Sequence, residues 1–231
     1  MFDKLFLITV ALPVLLACLA PTGKGGQVAS SETQTSSASQ IALPAPARTG
    51  RMSLEEALAR RRSVRQFSSR PLTEQELSQL LWAAQGITDP EGLRTAPSAG
   101  ALYPLELYVA TAGGFYHYVP QRHRLPKHSE GDLRPALYRA ALEQTPVLEA
   151  PAVFVIAAVY ERTAQKYGRD RTPRYVHIEA GHAAQSLLLQ AVALNLGAVP
   201  IGAFEDAQVL MVLLLHTGQR PIYLIPVGHP R

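Results

Sequence analysis

The chain has 231 residues, 47% of them apolar and 17% charged, with a formal net charge of +4. That balance supplies a sizeable core and excludes global disorder, and it lacks the basic stripe with interleaved aromatics that nucleic-acid binding requires. The single cysteine, Cys18, excludes an internal disulfide, a cysteine-rich zinc site and a cysteine nucleophile in the folded part.

At the N-terminus, Leu5 to Ala17 is an apolar run of 13 residues. It reads as an export signal, because a membrane span needs about 20 such residues. Leu15-Leu16-Ala17-Cys18 resembles the bacterial lipoprotein cleavage box, which implies that residues 1–18 are a leader ending at a lipidated Cys18. The expected location is the bacterial cell envelope, with the exported chain held on a membrane by its lipid. An ordinary signal, or a start at Met52, are the alternatives. Residues 19–50 are rich in Ser, Thr, Gly and Ala and lack aromatics, so they are expected to form a flexible linker. Residues 51–231 are then the folded domain.

Ser53 with Glu56, and Thr73 with Glu76, are capping boxes opening two helices. The second has the apolar face Leu77, Leu80, Leu81 and Ala84 and stops at Gly86. LELYVATA and FYHYVP, on either side of Gly113-Gly114, predict a β-hairpin. A helix is expected from Asp132 to about Gln144, followed by AVFVIAAVY, a strand buried on both faces. From about Tyr175 to Leu196 a long helix is apolar almost all round, which places it in the centre of a core or between subunits. A helix from Glu205 to about His216 and the strand PIYLIPV complete an α+β layered domain.

Several stretches carry chemistry. In RRSVRQF, Arg61, Ser63 and Arg65 alternate as the chain leaves a helix, and guanidinium forks with a hydroxyl suit a phosphate monoester. A solvated basic helix end is the plainer reading. Ala96-Pro97-Ser98-Ala99-Gly100 approaches the nucleophile elbow of serine hydrolases, but here the strand follows the serine instead of preceding it. A small-residue loop on which a flat ligand lies suits it better. His177 and His182 are five apart on one helix, which turns them away from each other and argues against a metal. Pro200-Ile201-Gly202-Ala203 offers free backbone N–H groups near a helix start. KYGRDRTPRY is expected to be a charged loop after the buried strand, where functional loops tend to lie.

RRSVRQF, PSAGALYPLELYV, GGFYHYVPQRHRL, KYGRDRTPRYVHIEAGHAAQ, VPIGAF and PVGHP, taken in order, resemble the FMN-dependent nitroreductase superfamily. Within it they look most like the thiazole/oxazole-forming (SagB-type) dehydrogenase branch, over essentially all of Arg51 to Arg231. The resemblance implies a nitroreductase-like sandwich, a mixed and largely antiparallel sheet flanked by helices, with the long helix at a homodimer interface. It implies that Arg61, Arg62, Ser63 and Arg65 line the FMN phosphate and ribityl end. Pro97, Ser98 and Ala99 would lie along the ring, with Gly202 and Ala203 giving backbone contacts at its edge. Lys166-Tyr167 matches the pair that removes protons in azoline-oxidising members, and nearby arginines would depress the lysine pKa. Two residues depart from the pattern: Ser186, and Asn195 where a small residue is usual.

The expected activity is therefore hydride transfer to or from FMN, with an azoline-like, nitro or quinone compound or a modified peptide as substrate. The rivals are a flavin- or partner-binding subunit without turnover and, more remotely, a serine hydrolase.

Overall fold

The computed structural model describes residues 40–231, and the leader, Cys18 and the linker as far as residue 39 lie outside the described residues. A seven-stranded sheet has the order β1-β4-β3-β2-β5-β7-β6. Its strands are β1 (Gln40–Ala42), β2 (Leu105–Thr111), β3 (Gly114–His117), β4 (Arg124–Ser129), β5 (Ala152–Val159), β6 (Gly197–Ala198) and β7 (Gln219–Gly228). Every pairing between these strands is antiparallel. The helices are α1 (Leu54–Arg60), α2 (Glu74–Gln85), α3 (Arg134–Ala140), α4 (Thr145–Glu149), α5 (Tyr160–Tyr167), α6 (Thr172–Ala193) and α7 (Asp206–Leu213).

The central strand β5 explains the layering. Side chains alternate across a sheet, and both of its faces are covered, so the sequence shows an unbroken apolar run. Phe154 and Ile156 pack with Leu80 and Leu81 of α2 and Ala183 and Leu187 of α6. Val153 and Val155 pack on the other face with Leu137 of α3, Val147 of α4 and Val209 of α7. The result is a sheet between two helical layers, the α+β architecture expected. The hairpin expected around Gly113-Gly114 is present as β2 and β3.

Four expectations need correction. The linker does not extend to Gly50. Ile41 of β1 pairs with Leu125 of β4, Leu43 is buried, and the Gln79 side chain binds both the N–H and the carbonyl of Ala47. Backbone hydrogen bonding to a sheet edge supplies what the composition of 40–50 lacks in apolar surface. The helix expected from Asp132 to about Gln144 is shorter, ending at Ala140, because Leu142 and Glu143 take left-handed φ of 55°, and a separate helix, α4, follows with Pro146 in its first turn. Lys166 and Tyr167 lie on a helix, α5, which Gly168 ends with a φ of +77°.

The fourth correction concerns α6. One side is buried through Val176, Ala180, Ala183, Leu187 and Ala191, but Ile178 is 51% exposed and His177, His182 and Gln185 are exposed. Within one protomer this helix is not central to a core. It ends with Leu196 N–H donating to the Ala191 carbonyl, and Asn195 N–H donating to that of Val192. Asn195 sits between them at φ +57°. This is the left-handed helix stop that asparagine tolerates, and it accounts for the departure at that position.

Candidate functional site

At the end of α1, Arg60 pairs with Glu56 and the chain then leaves the helix. The stretch that follows is fixed at both ends. Ser63 makes a parallel bridge to Ala198, with Val64 N–H donating to the Ala198 carbonyl at 3.0 Å, and Phe67 is fully buried. Gly197 permits this approach, since a Cβ there would stand 2.6 Å from Val64. Ser63 and Arg65 share one side of this extended stretch, and both are exposed. Arg62 is partly engaged, because its Nη1 donates to the Ala59 and Arg61 carbonyls at the helix end. Arg61 and Arg65 form no ion pair among the described residues, so two guanidinium forks and a hydroxyl stand ready for an anion.

The run from Gly197 turns back along β7, with Ile201 bridged to Leu224, and delivers Gly202 and Ala203 to the surface. Their backbone N–H groups bond to nothing among the described residues, while the Ala203 carbonyl accepts from the Gln144 amide at 2.8 Å. Two neighbouring free donors are what a heteroatom edge requires.

Pro97 to Tyr103 form a tight turn ahead of β2. Gly100, Ala101 and Tyr103 have φ of 64°, 53° and 46°, a conformation costly for the two residues with side chains. The turn is held by Tyr103 N–H donating to Ser98 Oγ at 2.9 Å, and Ala101 N–H to the Ser98 carbonyl at 3.1 Å. Gly100 is required for a second reason. A Cβ there would meet Lys166 Nζ at 2.8 Å and Tyr167 Oη at 3.0 Å. Lys166 and Tyr167 therefore converge on the loop that carries Pro97, Ser98 and Ala99.

Other contacts fix that convergence. Arg162, one turn before Lys166 on α5, donates to the Tyr103 carbonyl at 3.0 Å and pairs with Glu106, which also binds His117. The Tyr167 ring packs on Tyr175 of α6, with centroids 4.6 Å apart. Arg94 lies over the Tyr103 ring and donates to Gln85 at 2.7 Å. These residues border a cleft of about 440 Å³ on the far side of the turn. Ser98 lies in a turn that precedes a strand, and no histidine bonds to it among the described residues, so the hydrolase arrangement is absent there.

Glu179 belongs to this neighbourhood, and it was not among the site residues expected from the sequence. It is 3% exposed on α6, and its Oε1 has no hydrogen-bond partner among the described residues. Burial pushes its carboxyl up to about 7, against the opposing pull of the Ser98 hydroxyl and the Arg94 guanidinium. The available signal was its phase, since Glu179 falls on the same helical stripe as Val176 and Ala183. His177 instead bonds Tyr160 Oη at 2.7 Å and His182 is exposed. No group of three potential ligands for a metal exists among the described residues.

The candidate residues thus form separate clusters. Val64 touches Gly197 just beyond the end of α6, whereas Glu179 and Tyr175, which packs on Tyr167, lie in its first half. Glu179 and Ala193 are separated by ~20 Å of helix at ~1.5 Å per residue. Along the second half of α6, a groove of about 710 Å³ is lined by Leu54, Trp82, Ser186, Leu189, Leu194 and Asn195.

The sequence model of the nitroreductase family matches residues 58–229. A candidate nitroreductase of Methanocaldococcus jannaschii is 46% identical over 181 residues, covering 76% of this chain and 90% of that protein. The crystal structure of a candidate nitroreductase from Ralstonia eutropha superposes with a TM-score of 0.76 at 31% identity, over 83% of this chain and 90% of that one. The Escherichia coli microcin synthetase complex, bound to a truncated precursor, contains a chain that matches at 22% identity with a TM-score of 0.66, covering 83% of this chain and 77% of that one. At that identity the likeness concerns the fold.

Proposed function

Because the chain belongs to the nitroreductase family of flavin-dependent oxidoreductases, we propose that it is an FMN-dependent dehydrogenase of the SagB type. The observation that carries the proposal is the convergence of Lys166 and Tyr167 on Gly100, beside the Pro97–Ala99 turn. The donor set suits the cofactor. Arg61, Ser63 and Arg65 would hold the phosphate, with Arg62 contributing the N–H groups its helix-end bonds leave free. Pro97, Ser98 and Ala99 would support the ring, and the free N–H groups of Gly202 and Ala203 would bond its polar edge.

When bound, FMN supplies the two-electron acceptor or donor for a hydride. The protein's part is to hold the substrate's reacting carbon near the turn and to move a proton. Lys166 Nζ, when neutral, accepts the proton from the substrate, and Tyr167 Oη orients the group that loses it. In the reverse sense the same pair delivers a proton to a reduced nitro or quinone oxygen. The substrate would be a small azoline-like, nitro or quinone compound, or a modified peptide.

A homodimer would bring the separated clusters together. The exposed side of α6, with Ile178, lies open, and Leu54 and Leu58 of α1 are 62% and 51% exposed. Apolar surface of that extent suits a two-fold contact. Lipidation at Cys18 would hold the enzyme on an envelope membrane.

The test has a binding arm and a turnover arm. Arg61→Ala and Arg65→Ala should each weaken FMN at least tenfold in equilibrium titration of the apo-protein, given about 1.5–3 kcal/mol per charge-assisted bond. Lys166→Ala and Tyr167→Phe should keep the flavin spectrum and lose about 10²–10⁴ in turnover of a proton-abstracting substrate. A protein that binds flavin but transfers no electrons to or from it would instead be a binding subunit.

A further inference from the structure

The cleft behind the Tyr103 turn is short of one negative charge. Arg94 borders it, and its guanidinium makes no ion pair among the described residues. What Arg94 does touch is neutral. Its Nη1 donates to the Gln85 side-chain oxygen at 2.7 Å, and its guanidinium carbon lies 4.4 Å from the centre of the Tyr103 ring. The other guanidinium N–H groups bond to nothing among the described residues, and Nε is closed off from solvent. A cation deprived of water and of a counter-charge is costly, and arginine does not escape that cost by losing its proton.

The neighbouring side chain is incomplete in the same sense. Gln85, at the end of α2, also lines the cleft and is 1% exposed, and its amide Nε2 has no acceptor among the described residues. The one carboxylate among the residues that line the cleft, Glu106, is already held by Arg162 and by His117, the latter at 2.7 Å. Glu179 acts on Arg94 from α6 but forms no ion pair with it. Two arginines thus stand against a single carboxylate, with two adjacent side chains holding unused donors.

A volume of about 440 Å³ is far more than a carboxylate group fills and lies within the range of small-molecule sites. Leu102, Val119 and Pro120 give the cleft an apolar wall. We propose that the cleft binds a carboxylate borne on a compact apolar body, with Arg94 and Gln85 as the groups that recognise the carboxylate. The carboxylate accepts from the Arg94 guanidinium and the Gln85 amide, and the apolar body rests on Leu102, Val119 and Pro120. The wall is fixed in advance, because Arg94 N–H donates to Tyr103 Oη at 3.2 Å and Arg162 donates to the Tyr103 carbonyl at 3.0 Å. A free acid and the carboxyl end of a peptide carry the same chemistry. Such a site needs no flavin, so it goes beyond the function proposed above and stands or falls apart from it.

The test uses the full-length protein at neutral pH with two acids, N-acetylphenylalanine and 3-phenylpropionate, and the uncharged amide of each. Binding is followed by calorimetry and by backbone amide NMR. At least one acid should bind tenfold or more tightly than its amide, as a charge-assisted contact requires. It should shift the backbone amides of Gln85, Arg94, Tyr103 and Val119. Arg94→Gln should lower the acid to the affinity of its amide and leave the amide unchanged. A preference for N-acetylphenylalanine assigns the cleft to the end of a peptide, and a preference for 3-phenylpropionate assigns it to a free acid. Equal binding of acid and amide by wild-type protein overturns the proposal, as does the failure of both acids to bind at millimolar concentration. Shifts confined to residues outside the cleft overturn it as well, and these three results need no variant should Arg94→Gln not fold. Undiminished binding of the acid by a folded Arg94→Gln protein has the same consequence. Failure of the wild-type protein to bind FMN would count against the function proposed above and leaves each of these outcomes as it is.

Discussion

Glu179 affects stability, independently of any ligand. Its folded-state carboxyl titrates at about 7, against 4.5 for an ordinary glutamate. The folded chain therefore holds the proton more tightly than the unfolded chain. The stabilisation from this site is fully present below pH 4.5 and is lost as pH rises through 7. The difference is on the order of 3–4 kcal/mol, from about 2.5 pH units at ~1.4 kcal/mol per unit. Glu179→Gln should flatten that part of the profile and be more stable than wild type above pH 7, measured by urea unfolding from pH 5 to 8. At this scale the sequence was informative wherever a motif is local. RRSVR, PSAG and PIGA each stand out within a few adjacent residues, and each lies at the surface or on a turn. Glu179 escaped because its significance depends on Ser98 and Arg94, both far away in the chain. The role expected of Lys166 and Tyr167 came from the resemblance, since nothing local reveals that Gly100 lies against them.

Among the elements, those with a strong periodic pattern were readable: β5 from its unbroken apolar run, and α2 from its capping box and apolar stripe. The errors occurred where tertiary contacts or backbone conformation decide. The charges of KYGRDRTPRY suggested a loop, although Lys166 and Tyr167 end the helix α5, which Gly168 closes, and α6 begins at Thr172. The break between α3 and α4 depends on two left-handed residues, Leu142 and Glu143, whose side chains give no warning of it. At the end of α6 the left-handed position is held by Asn195. Asn195→Ala should lower stability by about 1 kcal/mol, while Asn195→Gly should be neutral or slightly stabilising. Chemical denaturation of the two variants checks the assignment, and equal stability of the alanine and glycine forms would contradict it.

For the molecule as a whole, the α+β class was legible in the order of helical and strand patterns along the chain, and the sandwich in the resemblance carried by six motifs in sequence order. The N-terminal boundary was not, because residues 40–50 are held mainly by backbone groups. A chain begun at Arg51 should lose β1, the buried Leu43 and the bonds from Gln79 and Ser78. The expected loss is on the order of 2–4 kcal/mol relative to a chain begun at Gln40, read from their unfolding midpoints. The sheet order also bears on self-association through strands. Among the described residues its outermost members are β1 and β6, three and two residues long, while the apolar strands β2, β5 and β7 lie inside. A neighbouring molecule that tried to extend the sheet would find too few free N–H and C=O groups to settle into register. Such short borders protect a concentrated solution of this protein from growing edge to edge into aggregates. Removing β1 would weaken that protection by uncovering β4, where Pro126 and Lys127 would remain as the second barrier.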